Sequence, residues 1–283
     1  MRDHTLRVPG GRGLRYLDLG DPRGRVVVSC HGGLSSRLDV AFADGTCATR
    51  GLRLLAIDRP GIGGSDPSRG RTLLDWPADV RTLADALGVD RFAVLGWSAG
   101  GPYALACGHV LHTRVTRVAT VAGMGPIDHP GGAAALGLLA DRLLFPLARR
   151  APRVAMLVLR LVRRLPAALL CWSLVRELSP ADRRAVSRLQ ASEVTAPTYE
   201  ALRAGVRGTV EDYRLLGGPW GFRPEDVPVE VVVWQGADDR LVPRAHAEAL
   251  ARRLPRSRLV VVPARGHFLW RTDMPAILGS LSA

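Results

Sequence analysis

The sequence predicts an α/β fold built on a mostly parallel sheet with helices on both faces. Short β-rich runs alternate with helical spacing along most of the chain. One of those runs passes directly into Gly96-Trp97-Ser98-Ala99-Gly100, a glycine-flanked serine at a strand-to-helix junction. Between Gly123 and Pro228 the strand signal disappears and the pattern turns helical, the mark of an insertion into the sheet-forming chain.

In chain order, residues 3–8 and 13–19 read as an opening antiparallel pair joined through Pro9-Gly10-Gly11. Val26 to Cys30 is a short apolar strand ending at His31-Gly32-Gly33, and Leu52 to Ile57 is another, ending at Asp58. Asp75 to Leu87 has helical spacing, with Leu83 and Leu87 four apart and Gly88 as its stop. Arg91 to Gly96 is the strand that leads into Ser98. The helix after it, from Ala99 to Val110, tolerates Pro102 because that residue falls in the first turn. Arg117 to Ala122, Val229 to Trp234 and Arg258 to Val262 supply three more strands. The last two are separated by a helix from Pro243 to Leu254, and a final helix spans Met274 to Leu281. The intervening helical stretch is expected to break at Pro146, Pro152, Pro166, Pro180 and Pro197.

Composition narrows the function classes. The chain has 283 residues, 47% of them apolar, enough for one large domain or a domain with an inserted subdomain. No apolar run is long enough to span a bilayer, and the N-terminus lacks a secretory pattern, so the expectation is a soluble cytoplasmic protein. The formal charge is +13, yet the sequence holds no lysine; all 39 basic residues are arginine, spread along the whole chain. That pattern fits codon pressure, and no nucleic-acid-binding signature accompanies it, so nucleic acid is not expected as a partner. Between Asp141 and Glu177, however, arginines interleave with Leu, Val and Met and no acid intervenes. This stretch reads as amphipathic helices with snorkelling arginines, with a membrane-surface patch or a vestibule for anionic, lipophilic substrates as the sharper alternatives. The four cysteines, Cys30, Cys47, Cys107 and Cys171, match no metal-ligand or redox spacing, and Cys30 and Cys107 read as small core residues.

The chemistry sits in the loops after the strands. A serine on a sharp strand-to-helix turn has strained backbone angles, and the residues two before and two after it approach so closely that glycine alone fits. Such a turn lifts the Ser98 hydroxyl clear of the sheet and places the Ala99 amide at a helix N-terminus, where it favours an oxyanion. A second amide is expected from the loop His31-Gly32-Gly33-Leu34, with Gly33 the first choice and Leu34 the next. Ser98 needs a base. Of seven histidines, His267 alone follows a late strand in a Gly-bearing loop at the same sheet edge. The acid that orients it should follow the preceding strand, where Asp238 and Asp239 are adjacent. Asp239 is favoured by its offset to Val242-Pro243, with Asp238 and then Asp128 as alternatives. His31, Trp97 and Trp172 are candidates for the substrate pocket, and His246 reads as a surface residue. The glycines from Asp58 to Asp66 lack the Gly-Lys-Ser/Thr of a phosphate loop.

The order Ser98, Asp239, His267 resembles the Ser…Asp…His order of the α/β-hydrolase superfamily. So do His31-Gly32-Gly33, the segment Asp58 to Asp66, the Asp239 to Pro243 turn and Gly266-His267. The resemblance covers 1–125 and 226–283. It implies an eight-stranded, mostly parallel sheet with residues 126–225 as a helical cap over the site, and hydrolysis through an acyl-enzyme with neither metal nor organic cofactor. A serine at position 98 argues against the members that use a carboxylate nucleophile, so a small ester, thioester or lactone is the expected substrate. Proline-releasing peptidases and carbon–carbon bond hydrolases of the same fold stand as alternatives, as does a non-catalytic small-molecule-binding member.

Overall fold

The structure, a computed structural model, describes residues 1–129 and 131–281. Residue 130 of the expected cap and residues 282 and 283 of the expected core lie outside the described residues. The eight strands are β1 (Arg2–Arg7), β2 (Gly13–Gly20), β3 (Arg25–Cys30), β4 (Leu52–Ile57), β5 (Phe92–Trp97), β6 (Val115–Val121), β7 (Val231–Gly236) and β8 (Ser257–Val262). They form one sheet in the order β1-β2-β4-β3-β5-β6-β7-β8. The opening pair is antiparallel as expected, β2 also runs antiparallel to β4, and every other pairing is parallel. Interior strands such as β7, Val-Val-Val-Trp-Gln-Gly, are buried along their whole length, the signature of a sheet covered on both faces.

Twelve helices join them: α1 (Asp44–Thr49), α2 (Trp76–Ala86), α3 (Gly101–Val110), α4 (Leu139–Arg150), α5 (Pro152–Val162), α6 (Ala167–Glu177), α7 (Pro180–Val186), α8 (Ala191–Ala201), α9 (Arg207–Leu216), α10 (Arg244–Arg253), α11 (Leu269–Thr272) and α12 (Met274–Ser280). One face of the sheet packs on α2, α3 and α10 through Trp76, Val80, Tyr103 and Leu250; the other packs on α1 and α12 through Cys47, Ile277 and Leu278. Cys30 and Cys107 are fully buried. Six helices, α4 to α9, lie between β6 and β7. Their inward residues Phe145, Ala148 and Leu159 belong to the same buried cluster as α2 and α3, so this segment is packed onto the sheet layer. No helix among the described residues is long and apolar enough to cross a membrane.

Two expectations change. Pro152 and Pro180 start helices and Pro166 precedes one, but Pro146 and Pro197 lie inside α4 and α8. Each gives up one backbone donor that the surrounding packing compensates. The stretch Arg37–Thr49, for which no element is expected above, forms a 3₁₀ turn followed by α1. Asp58 shapes that turn by accepting from the Arg37 amide at 2.7 Å and from the Arg37 guanidinium at 2.6 Å.

The charged interior is the other organising feature. Asp212 of α9 accepts from Arg59 Nε at 2.7 Å, Arg71 Nη2 at 2.6 Å and the Tyr103 hydroxyl at 2.7 Å, and all four groups are buried. Burial alone would raise the Asp212 carboxyl, but the two guanidinium groups outweigh it and hold it far below the ordinary carboxylate range. Removing that carboxylate strands two buried cations, and a broken buried pair costs about 3–5 kcal/mol. Asp212→Asn is therefore expected to lose about that much stability in urea denaturation; a change under ~1 kcal/mol would mean that water or another group replaces the charge.

Candidate active site

Strand register sets the site. Cys30 pairs with Ile57 of β4 on one side and with Gly96 of β5 on the other, so the three strands reach this level together; Trp97, Val121 and Trp234 continue that edge. The loops that leave it converge on one cavity of about 190 Å³, lined by Gly33, Leu34, Ser98, Ala99 and His267.

Ser98 stands between β5 and α3 with φ +54°, the left-handed region that a side chain occupies only under constraint. The constraint is visible in its flanking glycines. A Cβ on Gly96 would lie 2.5 Å from the Gly100 carbonyl oxygen, and one on Gly100 would lie 2.0 Å from that of Cys30. Ser98 begins the 3₁₀ turn Ser98–Gly100 that feeds α3, so the Ala99 amide belongs to the first turn of a helix start, where backbone donors lack intrahelical partners.

Across from it runs the loop 31–35. The Gly32 amide donates to Asp39 Oδ2 at 3.0 Å, which removes it from the cavity. The Gly33 and Leu34 amides have no acceptor among the described residues. Gly33 packs so close to Ala99 that a Cβ on it would sit 3.3 Å from the Ala99 methyl. Leu34 also holds a positive φ, +46°, and its carbonyl accepts from Thr198 Oγ1 of α8 at 2.9 Å. Asp39 is enclosed, and burial pushes its carboxyl up to about 7 against the pull of the Gly32 and Ser35 donors. Arg59 closes the loop from below, donating to the His31 and Gly32 carbonyls while it pairs with Asp212.

His267 lies after β8, its Nδ1 3.0 Å from Asp239 Oδ2. Asp239 is held on its remaining lone pairs by the Leu241 amide at 2.8 Å, the Val242 amide at 3.0 Å and Gln235 Nε2 at 3.1 Å. The imidazole is enclosed, which disfavours its charged form. The Asp239 carboxylate outweighs that burial, Asp182 and Asp141 add to it, and the histidine sits above its ordinary value. The His267 loop is clamped twice. Asp182 of α7 accepts the Phe268 amide at 2.7 Å, and Gly266 passes so near it that a Cβ would meet its carboxylate at 2.1 Å. From the β5 side, Trp97 Nε1 donates to the His267 carbonyl at 3.2 Å while its ring stacks on Trp270 at 4.4 Å.

Several expected residues fall elsewhere. Asp238 and Asp128 are exposed and make no bond to the imidazole; neighbouring side chains in the 237–241 turn diverge, and of the two adjacent acids Asp239 turns inward. His31 is buried but does not line the cavity. Its Nε2 accepts from the Arg59 amide at 3.2 Å, so its role is in the floor of the loop. Trp172 is 55% exposed on α6 and lies outside the cavity, under the Arg176 guanidinium, whereas Trp97 does line it. His246 is half-buried, and its Nδ1 accepts from the Gly125 amide at 3.3 Å.

The cavity also holds groups that no motif announced. Asp141 of α4 opens onto it and accepts from the Tyr213 hydroxyl at 2.7 Å; burial pushes its carboxyl up to about 6. Leu170 and Leu174 of α6, Val194 of α8 and Leu241 complete an apolar wall. Outside the cavity, Asp182 belongs to a locally readable pattern, Ser179-Pro180-Ala181-Asp182, a helix start whose fourth residue bonds back to its first.

With the geometry in hand, the chain can be compared with known proteins. A family model described as alpha/beta hydrolase fold matches residues 25–270. A pimeloyl-[acyl-carrier protein] methyl ester esterase of Aromatoleum aromaticum is 32% identical over 235 residues, covering 81% of this chain and 86% of that protein. Among solved structures, the enol-lactonase of Burkholderia xenovorans superposes with a TM-score of 0.74 at 18% identity, covering 99% of both chains. An esterase of Exiguobacterium antarcticum does so with 0.71 at 18% identity over the whole of each. At that identity these two speak to the fold alone.

In an NMR titration His267 is expected to ionise above the ordinary imidazole value of about 6.5, because its charged form faces Asp239. Asp239→Asn should lower that midpoint, and Asp141→Asn should lower it less. A midpoint that Asp239→Asn leaves in place would exclude that carboxylate as the cause.

Proposed function

The chain belongs to the α/β-hydrolase fold family and is a hydrolase, and from that premise we propose that it cleaves carboxylic esters through an acyl-enzyme on Ser98. The observation that carries this reading is the convergence on one cavity of three things: a serine at positive φ, unpaired backbone amides beside it, and a histidine bonded to a buried aspartate. In the proposed cycle His267 takes the Ser98 proton as the oxygen attacks the ester carbonyl. The Ala99 amide and the Gly33 or Leu34 amide hold the developing oxyanion, which the strained turn and the Asp39 anchor pre-position. Imidazolium then protonates the departing alcohol. Water, deprotonated by the same nitrogen, attacks the acyl-enzyme and releases the acid. Asp239 keeps Nδ1 protonated and steadies the imidazolium, which its three other hydrogen bonds leave it oriented to do.

The segment 126–225 serves in this reading as a cap. Its α4, α6 and α8 supply the apolar wall opposite Ser98, which supports a substrate with an apolar acyl or alcohol portion. The named relative acts on a methyl ester, and an ester fits this chain's site on its own geometry; a thioester or lactone presents the same carbonyl to the same groups. Asp141 and its Tyr213 partner form one polar spot on that wall, and Asp141 lies where its charge bears on His267 and disfavours an anionic group placed beside it.

The test is labelling with a fluorophosphonate probe beside turnover of p-nitrophenyl acetate and butyrate. Wild type should label and turn over. Ser98→Ala should lose both, with kcat down by a factor on the order of 10⁴ or more. Because only neutral imidazole accepts the serine proton, the acidic limb of kcat/KM should fall above the ordinary histidine value, and Asp239→Asn should move it to lower pH while reducing kcat. A folded wild type that neither labels nor turns over would overturn the esterase reading and leave a ligand-binding role for the cavity.

A further inference from the structure

Nine large hydrophobic side chains are exposed among the described residues, and seven of them lie between residues 139 and 172. Leu139 and Leu143 are one helical turn apart on α4. Val154, Leu157 and Leu161 form a stripe on α5, and Leu169 and Trp172 continue on α6. Their exposure runs from 45% at Leu169 to 56% at Leu161. This is a concentrated apolar face, not the scattered leucines that any surface carries.

The arginines of the same helices are as unusual. Arg142, Arg149 and Arg150 on α4, Arg153 and Arg160 on α5, Arg163 and Arg164 after it, and Arg176 on α6 are all exposed. None has an acidic partner within ion-pair distance, although arginines elsewhere pair repeatedly, as Arg37, Arg53 and Arg59 do. The acids that bracket the face are committed elsewhere: Asp141 to Tyr213 in the cavity, and Glu177 to the Leu139 amide at 2.6 Å.

We propose that the α4–α6 face lies on an anionic lipid surface, with its leucines and Trp172 in the acyl boundary and its arginines among the headgroup phosphates. An interfacial surface needs an apolar side and a polar side rich in arginine or lysine, and the three helices together supply both, the arginines mainly from α4, α5 and the turn after α5. The alternatives use half of the pattern. A second copy of the chain would cover the leucines but bring two sets of unpaired arginines together. An acidic protein or nucleic acid would match the arginines and leave the leucines in water. α4, the longest of the three with 12 residues, is about 18 Å long, well short of the ~30 Å of a bilayer core, so the face rests on a membrane without spanning it. α6 also carries Leu170 and Leu174, which line the cavity within a turn of Leu169 and Trp172. An apolar substrate dissolved in the lipid would thus meet the cavity wall through the same helix.

The experiment is sedimentation of the full chain with vesicles of phosphatidylcholine alone or mixed with phosphatidylglycerol. Three proteins are compared: wild type, Leu157→Asp with Leu161→Asp, and Arg153→Glu with Arg160→Glu. None of these four positions lines the cavity, so thermal midpoints and turnover of a soluble ester should match wild type. Wild type should pellet with the phosphatidylglycerol vesicles, weaken as salt is raised, and stay in solution with phosphatidylcholine. Each double variant should bind at least about tenfold more weakly. Wild type that stays in solution with anionic vesicles would overturn the proposal without any appeal to a variant. Wild type that binds neutral vesicles equally well would do the same. If the Leu→Asp pair binds like wild type while the Arg→Glu pair does not, the face is purely electrostatic and an acidic macromolecule is its partner. Binding is read without catalysis, so it is decided independently of the esterase reading.

Discussion

The close approach of Gly100 to the end of β3 is the constraint on which the site depends. With the Cys30 carbonyl 2.0 Å from where a Gly100 Cβ would be and the His31 carbonyl 2.7 Å away, the turn after β5 is pressed against the loop after β3 with no room for a methyl. That contact forces Ser98 into positive φ, since the chain must reverse within a few residues to start α3. It also brings Ala99 against Gly33, so two amides from distant parts of the sequence face one point. The neighbouring strands then matter through where they end. β7 and β8 run two residues past the level of Trp97 and Val121, and the loops after them deliver Asp239 and His267 to the same edge.

Beneath this edge the fold maintains a costly charged interior. Burying Asp212, Arg59 and Arg71 forfeits hydration that hydrophobic residues of the same volume would not, so the cluster is better understood as a device for position than for stability. Arg59 reaches the His31 and Gly32 carbonyls while Asp212 sits on α9, so the cluster ties the amide-bearing loop to the inserted helices. Thr198 of α8 makes a second tie, to the Leu34 carbonyl. A shift of the inserted segment would therefore reach the amides as well as the apolar wall. Asp182 gives α7 the same hold on the histidine loop.

What the sequence disclosed and what it hid follow from this arrangement. Strands such as Leu52–Ile57 were legible because burial on both faces leaves a short, uniformly apolar run, and the Ser98 turn because steric limits fix glycine at two set offsets. Asp239 and His267 were legible through their place after successive strands. Asp212 and Asp141 were not: each is one acid on an amphipathic helix, where nothing local separates a cavity-facing carboxylate from a solvated one. Trp97 and Trp172 had the same standing as letters. Only the packing of the His267 loop against β5 sent one into the cavity wall, while the other stands on the exposed face of α6 beneath the Arg176 guanidinium. Pro146 and Pro197 misled because tertiary contacts hold α4 and α8 through a missing donor.

The net charge changes meaning once it is placed on the fold. A preference for arginine over lysine across the chain accounts for the residue type at each basic position, and many of those positions are neutralised: Arg37 by Asp3, Asp58 and Glu200, Arg59 and Arg71 by Asp212, Arg117 by Glu230. Codon pressure explains neither the lack of acids between Asp141 and Glu177 nor the leucines exposed between those arginines. Each exposed leucine carries a hydration cost that a polar residue would avoid, and each unpaired arginine adds to the repulsion of its neighbours. Both are unfavourable for an isolated chain in water, and both become favourable against a surface that is apolar beneath and anionic above. Eight exposed arginines without an acidic partner are thus gathered with the exposed leucines on one face, the outer side of the helices whose inner side completes the cavity.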